Sequence, residues 1–245
     1  MCQNIILMKH FVIIFFVTVI NLYGQQSAIV EYEYLYNPNL GKKSTDYITY
    51  KAITTVDKAA EYAKQHRYIL KFNPNESYYY IDTGMKPDDL EDPMAYHLSK
   101  MMLGSGIFYQ NAPKRYTLNQ KESMHQLFLV KDTIKNDWTI SYEKKFIGGF
   151  KCYKATKKCK CGKDIVAWFT PEIPVPFGPA GYGGAPGLIL ELTYFKHTYR
   201  MKNIKFLKTP IPITPPNKGK PITIEELKKL QWNRRMELMK RYKNH

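Results

Sequence analysis

Residues 178–192 read GPAGYGGAPGLILEL, and this stretch decides the fold. Its first ten residues contain five glycines and two prolines, and an aliphatic segment follows them directly. Glycine adopts positive φ and lets another backbone approach closely, whereas the aliphatic segment has the composition of a buried strand. A phosphate-binding loop would instead end in Gly-Lys-Ser or Gly-Lys-Thr and open a helix. The stretch therefore predicts an irregular loop that enters a buried strand.

Prolines extend this loop toward the N-terminus. Four of them occur between residues 171 and 179, and none can donate a ladder hydrogen bond. Residues 171–184 must therefore leave the sheet between a strand that carries Trp168 and a strand that carries Leu188. We expect the loop to cross an end of the sheet, where it either plugs the interior or forms the lip of a ligand-binding site.

Period-two alternation of apolar and polar residues dominates the rest of the chain. Residues 28–36 alternate, and two further runs, RYILKF and ESYYYID, flank Asn73-Pro74-Asn75 as in a hairpin. Similar runs predict strands at 124–130, 138–144, 150–156, 165–170, 187–194 and 199–206. Strands at this spacing predict a mainly β (α+β) fold, a curved antiparallel sheet that forms an open barrel or a sandwich, with a few short helices and a C-terminal helix.

Two short internal helices are predicted, at residues 56–65 and 88–103. The second places Met94, Leu98, Met101 and Met102 at helical spacing, together with His97. Methionines in such a stripe more often pack in a core or under a lid than bind copper. We therefore expect the stripe to pack in the core or under a lid.

The C-terminal part is basic. Residues 196–245 contain 14 Lys or Arg against three Glu, in a chain of net charge +16. A proline-rich linker is predicted at 209–222, and Thr223 and Glu226 form a capping box that opens a basic amphipathic helix over 223–245. The helix is expected either to pack on the sheet or to lie on an anionic membrane surface. The expected partners are an unknown envelope protein or such a surface, and not nucleic acid.

The N-terminus has the pattern of a cleaved signal peptide. An apolar run of 12 residues, FVIIFFVTVINL, follows Lys9 and is too short for a stable membrane span. Cleavage after Gly24 would remove residues 1–24 and leave a β-rich domain over 25–208, with no transmembrane span. We expect the mature protein in the periplasm or secreted.

Several motifs in order resemble a known family. They are IGGFKCYKA at 147–155, AWFTPEIP at 167–174, Gly178-Pro179, and GAPGLILE at 184–191. Together they resemble the GLPGLI family of exported bacterial proteins, which is named for the last motif. The resemblance implies export and a β-rich domain, and it supplies no catalytic residues because the function of the family is unknown. Ala185 stands where the family usually has Leu, which would loosen the packing there.

The plug-or-lip region and the cysteines supply the candidate site residues. The candidate ligand-binding residues are Trp168, Glu172, Gly184, Pro186, Gly187 and Leu188. The candidate residues for a metal or a disulfide are Cys152, Cys159 and Cys161, because thiols pair in an oxidising compartment. On one straight strand Cys152 and Cys159 would be about 23 Å apart, too far for a disulfide. Cys159 and Cys161 are expected at an exposed hairpin tip, as a local disulfide, as a Cu(I) clamp, or as two solvent-facing thiols bonded to another chain.

Signals for catalysis are weak. Gly104-Ser105-Gly106 lacks the frame of a nucleophile elbow, and the histidines are scattered. A hydrolase that uses Glu172 and Glu191 is one hypothesis, and metal or redox handling through Cys159 and Cys161 is another. The sequence favours a non-enzymatic exported protein without a cofactor that binds a hydrophobic or peptidic ligand or assists an envelope complex.

Overall fold

The computed structural model describes residues 27–37, 47–85, 90–101, 106–159 and 162–243. The expected signal peptide lies outside these residues. Among the helices that are described, none has the length and apolar character needed to cross a membrane.

Twelve strands form one open sheet. The strands are β1 Ser27–Tyr36, β2 Arg67–Phe72, β3 Glu76–Asp82, β4 Ile107–Asn111, β5 Tyr116–Ser123, β6 Gln126–Thr133, β7 Thr139–Ile147, β8 Phe150–Lys158, β9 Asp164–Thr170, β10 Leu188–Tyr194, β11 His197–Leu207 and β12 Lys220–Thr223. Their order across the sheet is β12-β6-β5-β4-β3-β2-β1-β11-β10-β9-β8-β7. The predicted mainly β fold is confirmed, with the addition that β12 pairs with β6 in parallel.

Three helices accompany the sheet: α1 Tyr47–Gln65, α2 Pro93–Met101 and α3 Ile224–Lys243. α1 starts nine residues before Val56, where the sequence predicted its start. The added residues include a run of β-branched side chains, which have weak helix propensity, and the sequence pattern therefore did not indicate a helix there. α2 begins at Pro93 because the Asp92 carboxylate accepts a 2.9 Å hydrogen bond from the Ala95 amide, as an N-cap does.

The predicted C-terminal helix and its capping box are confirmed. Thr223 Oγ1 accepts a 3.2 Å hydrogen bond from the Glu226 amide, and the Glu226 carboxylate accepts one of 2.8 Å from the Thr223 amide. The last residues of the expected linker belong to the sheet as β12, and Leu227 then packs on Phe128 and Val130 in a small second core.

The sheet must curve strongly, because its connections require it. β6 and β7 are ten strand positions apart, which in a flat sheet would separate them by about 48 Å. Only residues 134–138 connect them, and such a segment spans at most about 20 Å. The two edges of the sheet are therefore brought close together around a common interior.

Tyrosine and aliphatic side chains fill that interior. Along β1, Ala28, Val30, Tyr32 and Tyr34 point inward at period two and are buried. Tyr68, Tyr79 and Tyr199 join them from neighbouring strands, and α1 closes one side with Ala60 and Ala63. The main core is therefore unusually rich in aromatic side chains that carry a hydroxyl group.

The expected packing of the methionine stripe in the core is wrong for Met94 and Met101, and Met102 lies outside the described residues. Met94 and Met101 are 68% and 54% exposed. The buried residues of α2 are Ala95, Tyr96 and Ser99, because that side packs on α1, where the Tyr96 ring meets the Tyr62 ring edge-on at 5.6 Å. Small side chains at positions 95 and 99 permit the close approach, so the methionines remain on the opposite side.

Candidate functional site

Residues 171–187, the plug loop, enter the interior of the curved sheet. Ile173 and Phe177 are fully buried within the main core, and Ala185 is almost fully buried there. The Trp138 indole donates a 2.9 Å hydrogen bond to the Gly183 carbonyl oxygen, and the Gln110 amide donates one of 3.0 Å to that of Gly181. Of the two expectations for this loop, the structure shows the plug.

Two glycines of the plug loop lie against other backbone segments. A Cβ on Gly187, whose φ is +156°, would come within 2.1 Å of the Thr170 carbonyl oxygen. A Cβ on Gly184, at φ +84°, would come within 2.3 Å of the carbonyl oxygen of Lys135, in the connection between β6 and β7. Glycine is required at both positions because any side chain would push the plug loop away from its neighbours.

The other predicted ligand-binding residues lie around the plug loop without forming one cavity. Leu188 is fully buried, whereas Pro186 is exposed. Glu172 is exposed and accepts a 2.9 Å hydrogen bond from the Lys151 amide. Trp168 is half-buried on β9, with the Lys145 ammonium group 4.4 Å from its ring centre. A ligand-binding role for these residues stays a prediction.

A buried carboxylate lies beside Trp168. Glu191, which is 5% exposed, accepts a 2.6 Å hydrogen bond from Lys145 of β7 and one of 2.7 Å from Arg200 of β11. Both carboxylate oxygens are thus held by cations, as the burial of a charge requires. This arrangement suits an ionic cross-link between strands.

The cysteines occupy two different environments. Cys152 is a free, buried thiol on β8, and burial raises its pKa to about 11. Cys159 is half-buried, directly after β8, and is disulfide-bonded. Cys161 lies outside the described residues. A Cu(I) clamp would instead need Cys159 as a free thiolate, and the metal-binding alternative stays a prediction. Within the described ranges, no three His, Cys, Asp or Glu side chains form a metal-binding cluster.

A groove of about 890 Å³ lies on the face of the sheet opposite the plug loop, over β2 to β6. Tyr78 and Tyr80 project into it because they alternate with the inward-facing Tyr79. Ile107 of β4 and Leu127 of β6 continue the apolar floor, and Met101 of α2 forms part of one wall. The groove is therefore mainly apolar, and its volume lies within the range of small-molecule sites.

α2 is held at the edge of the groove by a buried polar contact. His66, directly after α1, lies with Nε2 2.8 Å from Ser99 Oγ. The Ser99 hydroxyl donates to the Tyr96 carbonyl oxygen at 2.7 Å, so the histidine nitrogen is the donor in the first bond. Burial, assisted by Lys100, lowers the pKa of His66 and keeps the ring neutral. This contact fixes the α2 residues His97, Lys100 and Met101 that line the groove.

Positive charge surrounds the apolar floor. Lys71, Lys100 and Lys121 line the groove together with a single acidic residue, Glu122. Burial lowers the pKa of Lys121, and none of the described acidic side chains forms an ion pair with it. A partly desolvated ammonium group without a counterion favours an anionic ligand group.

Backbone strain is located at the rim of the groove. Met124 and His125 form the two-residue turn between β5 and β6, with φ of +53° and +60°. Positive φ at both positions defines a type I′ turn, for which Asn-Gly is preferred. Both residues line the groove, so their side chains are kept at the rim despite a strain of about 1–3 kcal/mol each.

The groove was missed from the sequence because six elements, five strands and α2, build it. One signal was available: in ESYYYID, tyrosines occupy both faces of a single strand. A strand with one face in the core needs no aromatic residues on the other, so Tyr78 and Tyr80 indicated a second apolar surface.

Comparisons with known proteins give a family segment and a fold. Residues 157–191 match a family described as a protein of unknown function (Porph_ging). No curated protein matches the chain in sequence. Structures of PNGF-II in the P21 and C2 space groups have TM-scores of 0.54 and 0.53 with 14% identity, and each match covers 84% of this chain. The chain spans 33% of the PNGF-II chain. Because the sequence identity is only 14%, the likeness shows a shared fold alone.

Proposed function

We propose that the protein is an exported, non-enzymatic protein of the bacterial cell envelope that binds a hydrophobic ligand with an anionic group. The observation that carries the proposal is the groove of about 890 Å³, with its apolar floor and three lysines. The signal-like N-terminus supports export. The ordered GLPGLI motifs, together with the matched segment at 157–191, support membership of an exported family.

The lining of the groove favours a hydrophobic ligand over a peptide. Tyr78, Tyr80, Ile107 and Leu127 offer mainly ring and aliphatic surface. A peptide would bring a backbone N–H and C=O group with every residue, and each would need a hydrogen-bond partner once desolvated. An acyl chain has no such requirement, and it gains about 25 cal/mol for each Å² of apolar surface removed from water.

The lysines select the ligand's polar end. Lys121 lacks an acidic partner among the described residues, and burial lowers its pKa. An anionic headgroup would stabilise the charged form of Lys121, and the resulting charge-assisted hydrogen bond would contribute about 1.5–3 kcal/mol. The ligand is therefore a carboxylate or phosphate amphiphile.

Isothermal titration calorimetry with dodecanoate and with dodecanol tests the proposal. We expect dodecanoate to bind at least about tenfold more tightly than dodecanol, because only dodecanoate engages the lysines. Lys121→Gln should abolish that difference, and Tyr80→Ala should weaken both ligands. Tyr142→Ala is the matched control, because Tyr142 is 96% exposed on β7, outside the groove. Binding of neither ligand, or binding that Tyr80→Ala leaves unchanged, would contradict the proposal.

A further inference from the structure

α3 leaves the sheet after its first turns. Leu227 is its buried anchor, and Gln231 donates a 3.2 Å hydrogen bond to the Ser123 hydroxyl at the β5–β6 turn. Beyond Gln231, every side chain of α3 that the structure describes is exposed. Most of the helix therefore has no partner within the described part of the chain.

The apolar residues of α3 do not share one face, although the sequence predicts an amphipathic helix. At about 100° per residue, Trp232, Met236 and Met239 lie about 120–180° away from Leu227. They are 61%, 37% and 45% exposed. These three residues, the outer stripe, follow one another at spacings of four and three positions and so form a continuous row on the helix surface.

Basic residues border the outer stripe on both sides. Lys228 and Arg235 lie along one side, and Lys229 and Lys240 lie along the other, at the same 100° per residue. α3 as a whole contains seven basic and three acidic residues. Of the three glutamates, Glu225 in the first turn is the one on the side of the stripe.

We propose that α3 binds an anionic lipid surface through the outer stripe. Trp is suited to the boundary between lipid headgroups and acyl chains, and the methionines can enter the apolar layer beside it. The flanking lysine and arginine side chains are long enough to reach the headgroups while their methylene groups cover the stripe's edges. Positive charge on both sides of the outer stripe fits a flat anionic surface. Leu227 lies on the opposite side of α3 and attaches the helix to the sheet, which would therefore lie on the side of α3 away from the lipid.

Vesicle flotation with the full chain tests the proposal. The vesicles contain phosphatidylcholine alone or a mixture with phosphatidylglycerol. We expect a Trp232→Ser, Met236→Ser and Met239→Ser variant to bind the anionic vesicles at least about tenfold more weakly than the unaltered chain. The matched control is Ile140→Ser, Tyr142→Ser and Phe146→Ser, which removes three exposed apolar side chains from β7. The apolar N-terminal segment can itself bind vesicles, so the proposal is judged on the difference between the stripe variant and its matched control, which share that segment.

Fluorescence gives a second readout that does not depend on total binding. Brominated acyl chains should quench part of the tryptophan emission of the unaltered chain on anionic vesicles, and that part should be absent in Trp232→Phe. Equal flotation of the stripe variant and the unaltered chain would overturn the proposal. So would quenching that persists in Trp232→Phe, or binding that does not depend on phosphatidylglycerol. Stable capture of a protein partner by the stripe, without vesicle binding, would also overturn it.

Discussion

The Tyr32 hydroxyl group donates a 2.7 Å hydrogen bond to the Ile189 carbonyl oxygen, across 157 positions of the chain. Ile189 lies where the register of β10 against β9 shifts. The bond connects β1 to the strand that follows the plug loop, and burial raises the pKa of Tyr32 well above its ordinary value. The core therefore contains a neutral, hydrogen-bonded tyrosine between its earliest and one of its latest strands.

Tyr32→Phe tests this contact. We expect the free energy of unfolding to fall by about 1–3 kcal/mol, because the substitution leaves the Ile189 carbonyl oxygen buried without this donor. Denaturant unfolding measures the change. Tyr142→Phe removes an exposed hydroxyl group and should change the stability by less than about 0.5 kcal/mol. Equal effects of the two substitutions would show that the buried bond contributes nothing.

Gly187→Ala should be severely destabilising. Its Cβ would lie 2.1 Å from a backbone oxygen atom, so the plug loop or β9 must move, and we expect a loss above about 3 kcal/mol. Gly149→Ala is the matched control: its φ is +88°, and a Cβ there would meet nothing within 4 Å. The control should lose about 1–2 kcal/mol from backbone strain alone. Similar thermal midpoints for the two variants would contradict the close packing of the plug loop.

Cys152 should resist alkylation in the folded protein. At pH 8 a pKa of about 11 leaves almost no thiolate, and the side chain is fully buried. Because the folded pKa is raised, the stabilising contribution of the thiol is complete below about pH 8.5 and is lost as the pH rises toward 11. Peptide mapping after iodoacetamide treatment should find Cys152 unmodified in buffer and modified in guanidinium. Rapid labelling of the native protein would show that the site is open.

Asn-Gly in place of Met124-His125 should stabilise the β5–β6 turn. The double substitution relieves positive φ at two residues, so the free energy of unfolding should rise by about 1–2 kcal/mol. Dodecanoate affinity should fall at the same time, because both side chains line the groove. Arg115→Gly relieves a φ of +53° outside the groove and should leave affinity unchanged. Unchanged dodecanoate affinity in the double variant would show that the side chains of Met124 and His125 do not contribute to ligand binding.

Local patterns predicted the β2–β3 hairpin well, because the information for it lies within a few residues, whereas they missed β4 and β5 and placed the turn residues Met124 and His125 in a strand. β2 and β3 begin and end where the alternation does, and the Asn73 side chain accepts hydrogen bonds from the amides of Asn75 and Glu76 in the turn between them. Two features that local pattern did not give are the parallel pairing of β12 with β6 and the first half of α1. β12 pairs with β6 despite its proline, and α1 runs through β-branched residues of weak helix propensity, so neither feature follows from local pattern.

The candidate site was harder to predict than the fold. The glycine-rich motif drew attention because it is compact in sequence, and its main structural task is to fill the sheet. The groove draws Tyr80, Met101 and Leu127 from three separate elements, and no spacing rule links them. Only the curvature of the sheet and the position of α2 bring them together. The lowered pKa of Lys121 likewise depends on burial that no single strand reveals.

The position of β1 between β2 and β11 sets the order in which the chain can fold. Ser27 pairs with Leu207, so the first strand lacks one neighbour until the eleventh has been made. Contacts of such high sequence separation carry a large loop-closure cost and slow the folding of β proteins. A chain that cannot complete its core before residue 207 remains unfolded through most of its synthesis. That delay would suit the export proposed above, because a chain that is still unfolded can pass through a narrow channel in an extended form.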